Sequence, residues 1–262
     1  MNNILEKIIH QKKIEIKKLY EKDIHRNIPN LKEIFCQNSL KKTLQNNKFS
    51  IIGEIKKRSP SKGLICTSDN LVPLIKDYVA RGISALSVLT DENFFSGSIY
   101  DLRIARLLLN NSSIPILRKE FIIDKIQILE SYLVGADAIL LIVAVLKDKT
   151  KELFTYAKKF GLDVLMEVHN IDELNFALNI GADIIGINNR NLINFEENIN
   201  NCIELSKYIP EHIITIAESS IKTNEHIKEI KNTNFNGALI GETIIKSEKP
   251  SKKIKELMEG IL

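Results

Sequence analysis

Tryptophan is absent from this 262-residue chain and cysteine occurs only three times. Cys36, Cys66 and Cys202 stand far apart, with no paired or metal-ligand spacing. That excludes a disulfide scaffold, predicts neither disulfide nor structural zinc, and fits reduced thiols in a reducing compartment. Long apolar runs are also missing. The longest, near Ala138 to Leu146, is too short for a bilayer span. The polar start MNNILEKIIHQKK lacks the cationic-then-apolar order of a signal peptide. A soluble, cytoplasmic protein is expected, with no membrane partner. Nor is there a strong excess of one charge: 37 Lys and Arg against 33 Asp and Glu give +4, scattered along the chain. With no Trp and little cationic clustering beyond residues 56–62, a nucleic-acid partner is not expected.

What is present is a chain that can bury one sizeable core, 44% hydrophobic and 27% charged. Its length suits an α/β barrel, which commonly runs to about 250 residues as one domain. Short β-like runs alternate with helical patterns. Strands are predicted at Ser50 to Ile55, Ala85 to Leu89, Ile114 to Leu117, Ala138 to Ile142, Val164 to Val168, Ile184 to Ile187, Ile213 to Ala217 and Ala238 to Ile240. Gly82, Gly135, Gly161 and Gly181 each close a helical pattern just before a strand, where glycine supplies the left-handed cap. Ser98 with Asp101 three residues on resembles a capping box, and Asp124 and Asn170 precede helical periodicities. Eight strand–helix units with nearly continuous apolar strands imply parallel pairing with both faces covered. A (β/α)8 TIM barrel fits best. The alternative, a doubly wound open sheet, has no G-x-G-x-x-G after its first strand to support a dinucleotide site.

Residues 1–48 precede the first strand and read as a helical extension packed on a barrel of residues 49–262. Ile4, Leu5, Ile8, Ile9, Ile16 and Leu19 recur at helical spacing among lysines and glutamates, an amphipathic helix suited to docking or to dimerisation. Pro29 ends that pattern, and Leu31 to Leu44 reads as a second short helical stretch.

The densest chemistry lies in GEIKKRSPSKG, residues 53–63. Strand residues alternate faces, so Glu54 and Lys56 point the same way, toward the centre of a barrel. A paired carboxylate and amine there suggests proton transfer. Ser59, Pro60, Ser61 and Gly63 put hydroxyl and backbone donors on a rigid turn suited to an anion near Lys56 and Lys62. Barrel enzymes place their chemistry at the strand C-termini, and polar residues recur there. LTDENFFSGS offers Phe94 and Phe95 as an apolar wall. LRKEF brings Lys119 flanked by Arg118 and Glu120, and LMEVH brings Glu167 as a lone acid. GINNRN brings Asn188 and Arg190, AESS brings Glu218, Ser219 and Ser220, and LIGET places Gly241 at a turn. His169 beside Glu167 reads as a strand-end structural residue rather than a second base.

These motifs, in this order over the whole barrel, resemble the indole-3-glycerol phosphate synthase family; the pattern from Ile4 to Ile16 is similar to that family's extra helices. The resemblance implies an enzyme of tryptophan biosynthesis, a carboxy-lyase acting on a phosphorylated small molecule without metal or organic cofactor. The implied reaction turns 1-(2-carboxyphenylamino)-1-deoxyribulose 5-phosphate into indole-3-glycerol phosphate, carbon dioxide and water. It implies Lys119 as general acid and Glu167 as general base, with Glu54, Lys56 and Asn188 completing the catalytic set. Ser59, Pro60, Phe95, Arg190, Ser219, Ser220, Leu239, Gly241 and Glu242 are the implied substrate-binding residues. Nearby cations such as Lys56 are expected to lower the pKa of Lys119, and apolar walls to raise that of Glu167. Which lysine donates in which step stays open. A monomer or weak homodimer is expected, with association with other tryptophan-pathway enzymes open.

One position departs from the family's usual E-S-G: here the triplet is Glu218, Ser219, Ser220. If the glycine's backbone angle is needed, serine strains the loop by about 1 kcal/mol or more; if only its N–H is needed, serine serves as well. A related phosphate-sugar barrel, such as a phosphoribosyl-anthranilate isomerase-like protein, would share the late phosphate loops but not the set Glu54, Lys56, Lys119 and Glu167. A catalytically dead barrel kept for partner binding is the other competing reading.

Overall fold

The computed structural model describes residues 4–27, 30, 38–60, 63–191 and 196–259. Pro29, Cys36, Ser61, Lys62 and the first part of the second helical stretch lie outside the described residues.

Eight strands form where the apolar runs predict them: β1 Ser50–Ile55, β2 Ala85–Leu89, β3 Ile116–Lys119, β4 Ala138–Ile142, β5 Asp163–Val168, β6 Ile184–Asn188, β7 Ile214–Glu218 and β8 Gly237–Ile240. Each pairs in parallel with its chain neighbours and β8 returns to β1, closing a (β/α)8 barrel. The third strand starts two residues later than expected. Pro115 has no N–H to donate to a ladder, although its carbonyl accepts from Leu86 N at 3.0 Å. The shift matters, because it makes Lys119 the last paired residue of β3, opposite Leu89.

Alternation along each strand separates two apolar layers. Ile52, Leu117, Leu140, Leu165, Ile184, Ile216 and Leu239 fill the barrel interior. Ile51, Val88, Ile139, Met166, Ile185 and Ala217 face the outer helices. Those helices are labelled after the two N-terminal ones described below: α3 Leu71–Ala80, α4 Ile99–Leu108, α5 Lys125–Leu133, α6 Thr150–Lys159, α7 Ile171–Asn179, α8 Asn200–Ser206, α9 Asn224–Lys231 and α10 Pro250–Glu259. Asp124 caps α5 in a full capping box with Gln127, and Asn170 caps α7 by accepting from Glu173 N. The four glycines expected at helix ends all take positive φ, between 68° and 88°. The expected Ser98–Asp101 box does not form as such. Ser98 accepts from Tyr100 N, while Asp101 turns to the ammonium of Lys57, 2.7 Å away, because a buried cation is a stronger partner than a backbone N–H.

Of the two roles open to the N-terminal helix, α1 Ile4–Glu21 docks on its own barrel. Ile8 is 3% exposed and joins the interior cluster, while Ile16 and Leu19 pack against Ile126 and Leu133 of α5. α2 Leu40–Asn46 closes the opposite end with Leu40 and Leu44 fully buried. Ser39 and Lys41 fix it to Asp163 and Asp183, at the N-terminal ends of β5 and β6, by bonds of 2.8 Å each.

Candidate active site

All fourteen residues singled out by sequence line one cavity of about 350 Å³ at the C-terminal ends of the strands. Glu54 and Lys56 do share a face, and their side chains pair at 2.8 Å. The backbone of Glu54 is held from outside by Tyr78 Oη, 3.0 Å from its carbonyl. Gly241 gives the carboxylate its room, since a Cβ there would lie 2.6 Å from Glu54 Oε1.

The floor is built around Lys119, whose Nζ donates to Glu167 at 2.8 Å and to Glu218 at 2.7 Å. Two sequence expectations are corrected here. Burial alone would lower the pKa of Lys119, but Glu167, Glu218 and Glu54 outweigh it and raise it, while Lys56 is engaged by Glu54. Nor is Glu167 a lone acid against apolar walls. Burial pushes its carboxyl up, yet Lys119 and His169 hold it well below the ordinary carboxylate range, and Asn188 Nδ2 donates to it at 3.1 Å. Lys119 and Asn188 are hidden from the sequence because they come from β3 and β6; His169 stands two residues from Glu167.

Glu218 is named in the sequence only as a strand-end polar residue, with no catalytic or binding role. It sits in phase with the inward Ile214 and Ile216, the signal that could have placed it. Burial, together with the charge of Glu167, pushes its carboxyl up to about 7 against the pull of Lys119. Its Oε1 is buried with no hydrogen-bond partner among the described residues. Thus the trio carries Lys119 as ammonium and Glu167 as carboxylate, with Glu218 as the member that takes up a proton near neutral pH. His169 lies 3.3 Å from Glu167 Oε1 and 3.1 Å from Glu173. Burial opposes its charge, but these two carboxylates raise its pKa to about 9. It is an imidazolium at neutral pH, in keeping with its reading as something other than a base.

At the mouth, Arg190 does not present a free fork. Its Nη2 pairs with Glu197 and lies 3.4 Å from Glu242, while Lys222 holds the other oxygen of Glu197 at 3.0 Å. Ser219 and Ser220 both adopt the left-handed conformation, at φ 66° and 65°. Serine at 220 therefore keeps the left-handed angle that a glycine would take there, at a conformational cost. Both residues line the cavity at this turn. Ser220 Oγ is buried there without a partner among the described residues. The apolar wall is Phe95 against Phe121, ring centroids 6.0 Å apart, whereas Phe94, expected beside Phe95, does not line the cavity.

Residues 5–257 match the family described as indole-3-glycerol phosphate synthase. This chain belongs to that family. It is 40% identical to the indole-3-glycerol phosphate synthase of Bacteroides thetaiotaomicron over 263 aligned positions, covering all of both chains. It is 43% identical to that of Thermoanaerobacter pseudethanolicus over 257 positions, covering 98% of this chain and 97% of the relative. Indole-3-glycerol phosphate synthases are carboxy-lyases of tryptophan biosynthesis and act on a phosphorylated small molecule, so the chain is an enzyme of that class. Solved structures add the fold alone. A 3-hexulose-6-phosphate synthase from Salmonella typhimurium superposes with TM-score 0.64 at 11% identity, over 81% of this chain and 98% of that one. Thiamine phosphate pyrophosphorylase from Pyrococcus furiosus gives 0.62 at 15%, over 83% and 97%. Among the described residues no helix is long and apolar enough to cross a membrane.

Proposed function

We propose that this indole-3-glycerol phosphate synthase closes the pyrrole ring of 1-(2-carboxyphenylamino)-1-deoxyribulose 5-phosphate, with Lys119 as general acid and Glu167 as general base. The observation that carries the reading is the ammonium of Lys119 held between Glu167 and Glu218 at the cavity floor. The ring carbon bearing the carboxylate attacks the sugar carbonyl, and the carbonyl oxygen takes the proton of Lys119 as the C–C bond forms. Loss of carbon dioxide returns the bonding pair to the ring. The new hydroxyl then leaves with a proton as water, while the carbon next to nitrogen gives up its proton to Glu167.

The floor charges favour this order of events. Two carboxylates keep Lys119 protonated but make it a reluctant acid. When Glu218 takes a proton, Lys119 loses one negative neighbour and becomes a better donor at the moment the carbonyl arrives. Glu54 and Lys56, paired at 2.8 Å on the facing strand, are suited to hold the substrate and to assist dehydration. The Phe95 wall holds the anthranilate ring near the carbonyl, and such positioning is itself a large part of the rate. The Ser219–Ser220 turn takes the phosphate, with Ser59, Pro60, Leu239 and Gly241 shaping the space around the sugar. Arg190 and Glu242 stand at the same rim, and Arg190 binds an anionic group of the substrate by exchanging it for Glu197.

The test supplies the carboxyphenylamino-deoxyribulose phosphate to purified protein and follows indole fluorescence, with Lys119→Ala alongside. Turnover by the parent and none by the variant supports the reaction and the acid together. A folded parent that does not turn over returns the weight to the dead barrel.

A further inference from the structure

Lys12 lies on α1, outside every motif of the site, yet it is 2% exposed. Its ammonium stands 2.7 Å from Asp91, 3.0 Å from Glu120 and 2.8 Å from Glu15. The two buried carboxylates have second tasks. Asp91 Oδ1 accepts from Phe94 N at 2.7 Å and from Phe95 N at 3.1 Å. Glu120 accepts from Phe121 N at 2.8 Å and from Thr90 Oγ1 at 2.7 Å. Phe95 and Phe121 are the two rings of the cavity wall, and Glu120 follows Lys119 directly. Each carboxylate that Lys12 neutralises is therefore the backbone anchor of one wall ring. A second strap runs parallel to the first, from Asn93 Nδ2 to Glu15 Oε1 at 2.7 Å.

We propose that Lys12 is a positioning residue of the substrate pocket: by neutralising Asp91 and Glu120 together it lets both hold the Phe95 and Phe121 backbones, so that the N-terminal helix sets the aromatic wall. The proposal rests on the reading of that wall as the seat of the substrate's anthranilate ring. Without the cation, Asp91 is left unpaired against Glu120, which keeps only Arg118 at 3.8 Å, an arrangement that such sites relieve by separating or by taking up a proton. Either response loosens the loop that follows β2. Charged groups facing Lys12 come from three elements: Glu15 on α1, Asp91 after β2 and Glu120 after β3.

The experiment compares Lys12→Met, Lys12→Arg and Phe95→Ala, singly and combined, by steady-state kinetics and by amide hydrogen exchange. Lys12→Met is expected to lower kcat/KM by about 10- to 100-fold, the usual size for loss of a supporting contact. Lys12→Arg should recover most of it. In the Phe95→Ala background the same change should cost less than about 3-fold, because the ring it places is gone. The Phe94 and Phe95 amides should exchange faster in Lys12→Met while those of β5 and β6 stay protected. Should Lys12→Met not fold, Asp91→Ala, which leaves Lys12 with two partners, must reproduce both the loss and the coupling to Phe95. Additive losses, or unchanged protection of the two amides, overturn the proposal. Exchange needs no turnover: a parent that is inactive while Lys12→Met frees those amides refutes the reaction and leaves the strap standing.

Discussion

Gly186 on β6 lies against Glu218 on β7 so closely that a Cβ on it would come 2.1 Å from Glu218 Oε1. The carboxylate that reaches Lys119 occupies the space that any other residue at 186 would fill. Absence of a side chain on one strand thus sets the position of a charge on the next.

Gly186→Ala should displace the Glu218 carboxylate and break its 2.7 Å contact with Lys119. A loss of about 100-fold in kcat is expected from misplacement of order 1 Å. Overpacking should cost about 1–3 kcal/mol of stability. A kinetic and denaturation series on this variant decides it: unchanged kcat in a folded protein would detach Glu218 from the chemistry.

Glu218 also makes the folded state sensitive to pH. Its carboxyl is raised from 4.5 to about 7, so the folded protein binds this proton more tightly than the unfolded chain does. That contribution to stability is whole below about pH 4.5 and is lost as pH rises through about 7. Glu218→Gln removes the buried charge, so it should flatten the fall in stability between those values and gain roughly 2 kcal/mol at pH 8. The same variant should lose turnover. Urea midpoints measured at pH 5 and pH 8 test the sign, and an equal shift at both would contradict it.

Ser220→Gly should relieve a left-handed serine at φ 65°. After subtraction of glycine's extra freedom in the unfolded chain, a gain of about 0.5–1 kcal/mol is expected. If the hydroxyl contributes nothing to phosphate binding, the Michaelis constant stays the same or falls. A rise would mean that the buried, unpartnered Oγ is a phosphate ligand that compensates for the strain.

Arg106 is fully buried beneath the sheet, where it donates to Gly135 O at 2.8 Å and to Asp137, which also accepts from Ile116 N at 2.9 Å. Asp137→Ala leaves that guanidinium without its counter-charge and should cost about 3–5 kcal/mol. The kinetic constants of the folded fraction should hardly move, because the pair lies at the N-terminal end of β4, away from the cavity. A thermal melt alongside kinetics separates the two effects.

Much of this was legible in the chain because its signals are local. Eight apolar runs, four capping glycines and the period-2 phase of Glu54 and Lys56 each depend on residues within a few positions. Where the reading failed, the missing partner was remote. Glu167 looked alone because Lys119 and Asn188 reach it from two other strands. Lys119 looked like an acid strengthened by a neighbouring cation, Lys56, and only the fold shows Lys56 already paired with Glu54. Asp101 looked like half of a capping box until Lys57 came within 2.7 Å.

By itself the chain determined a parallel barrel, the residues that would meet at its C-terminal end and the family to which they point. Hydrophobic period, helix caps and motif order are properties of short stretches and survive without a third dimension. The tertiary structure alone decided which carboxylate holds a proton, which arginine is already engaged and that a lysine on the N-terminal helix reaches the pocket wall. Protonation and pairing depend on burial and on charges within a few ångströms, and closure of the barrel brings those charges together from distant residues, as between Lys12 and Glu120, 108 positions apart.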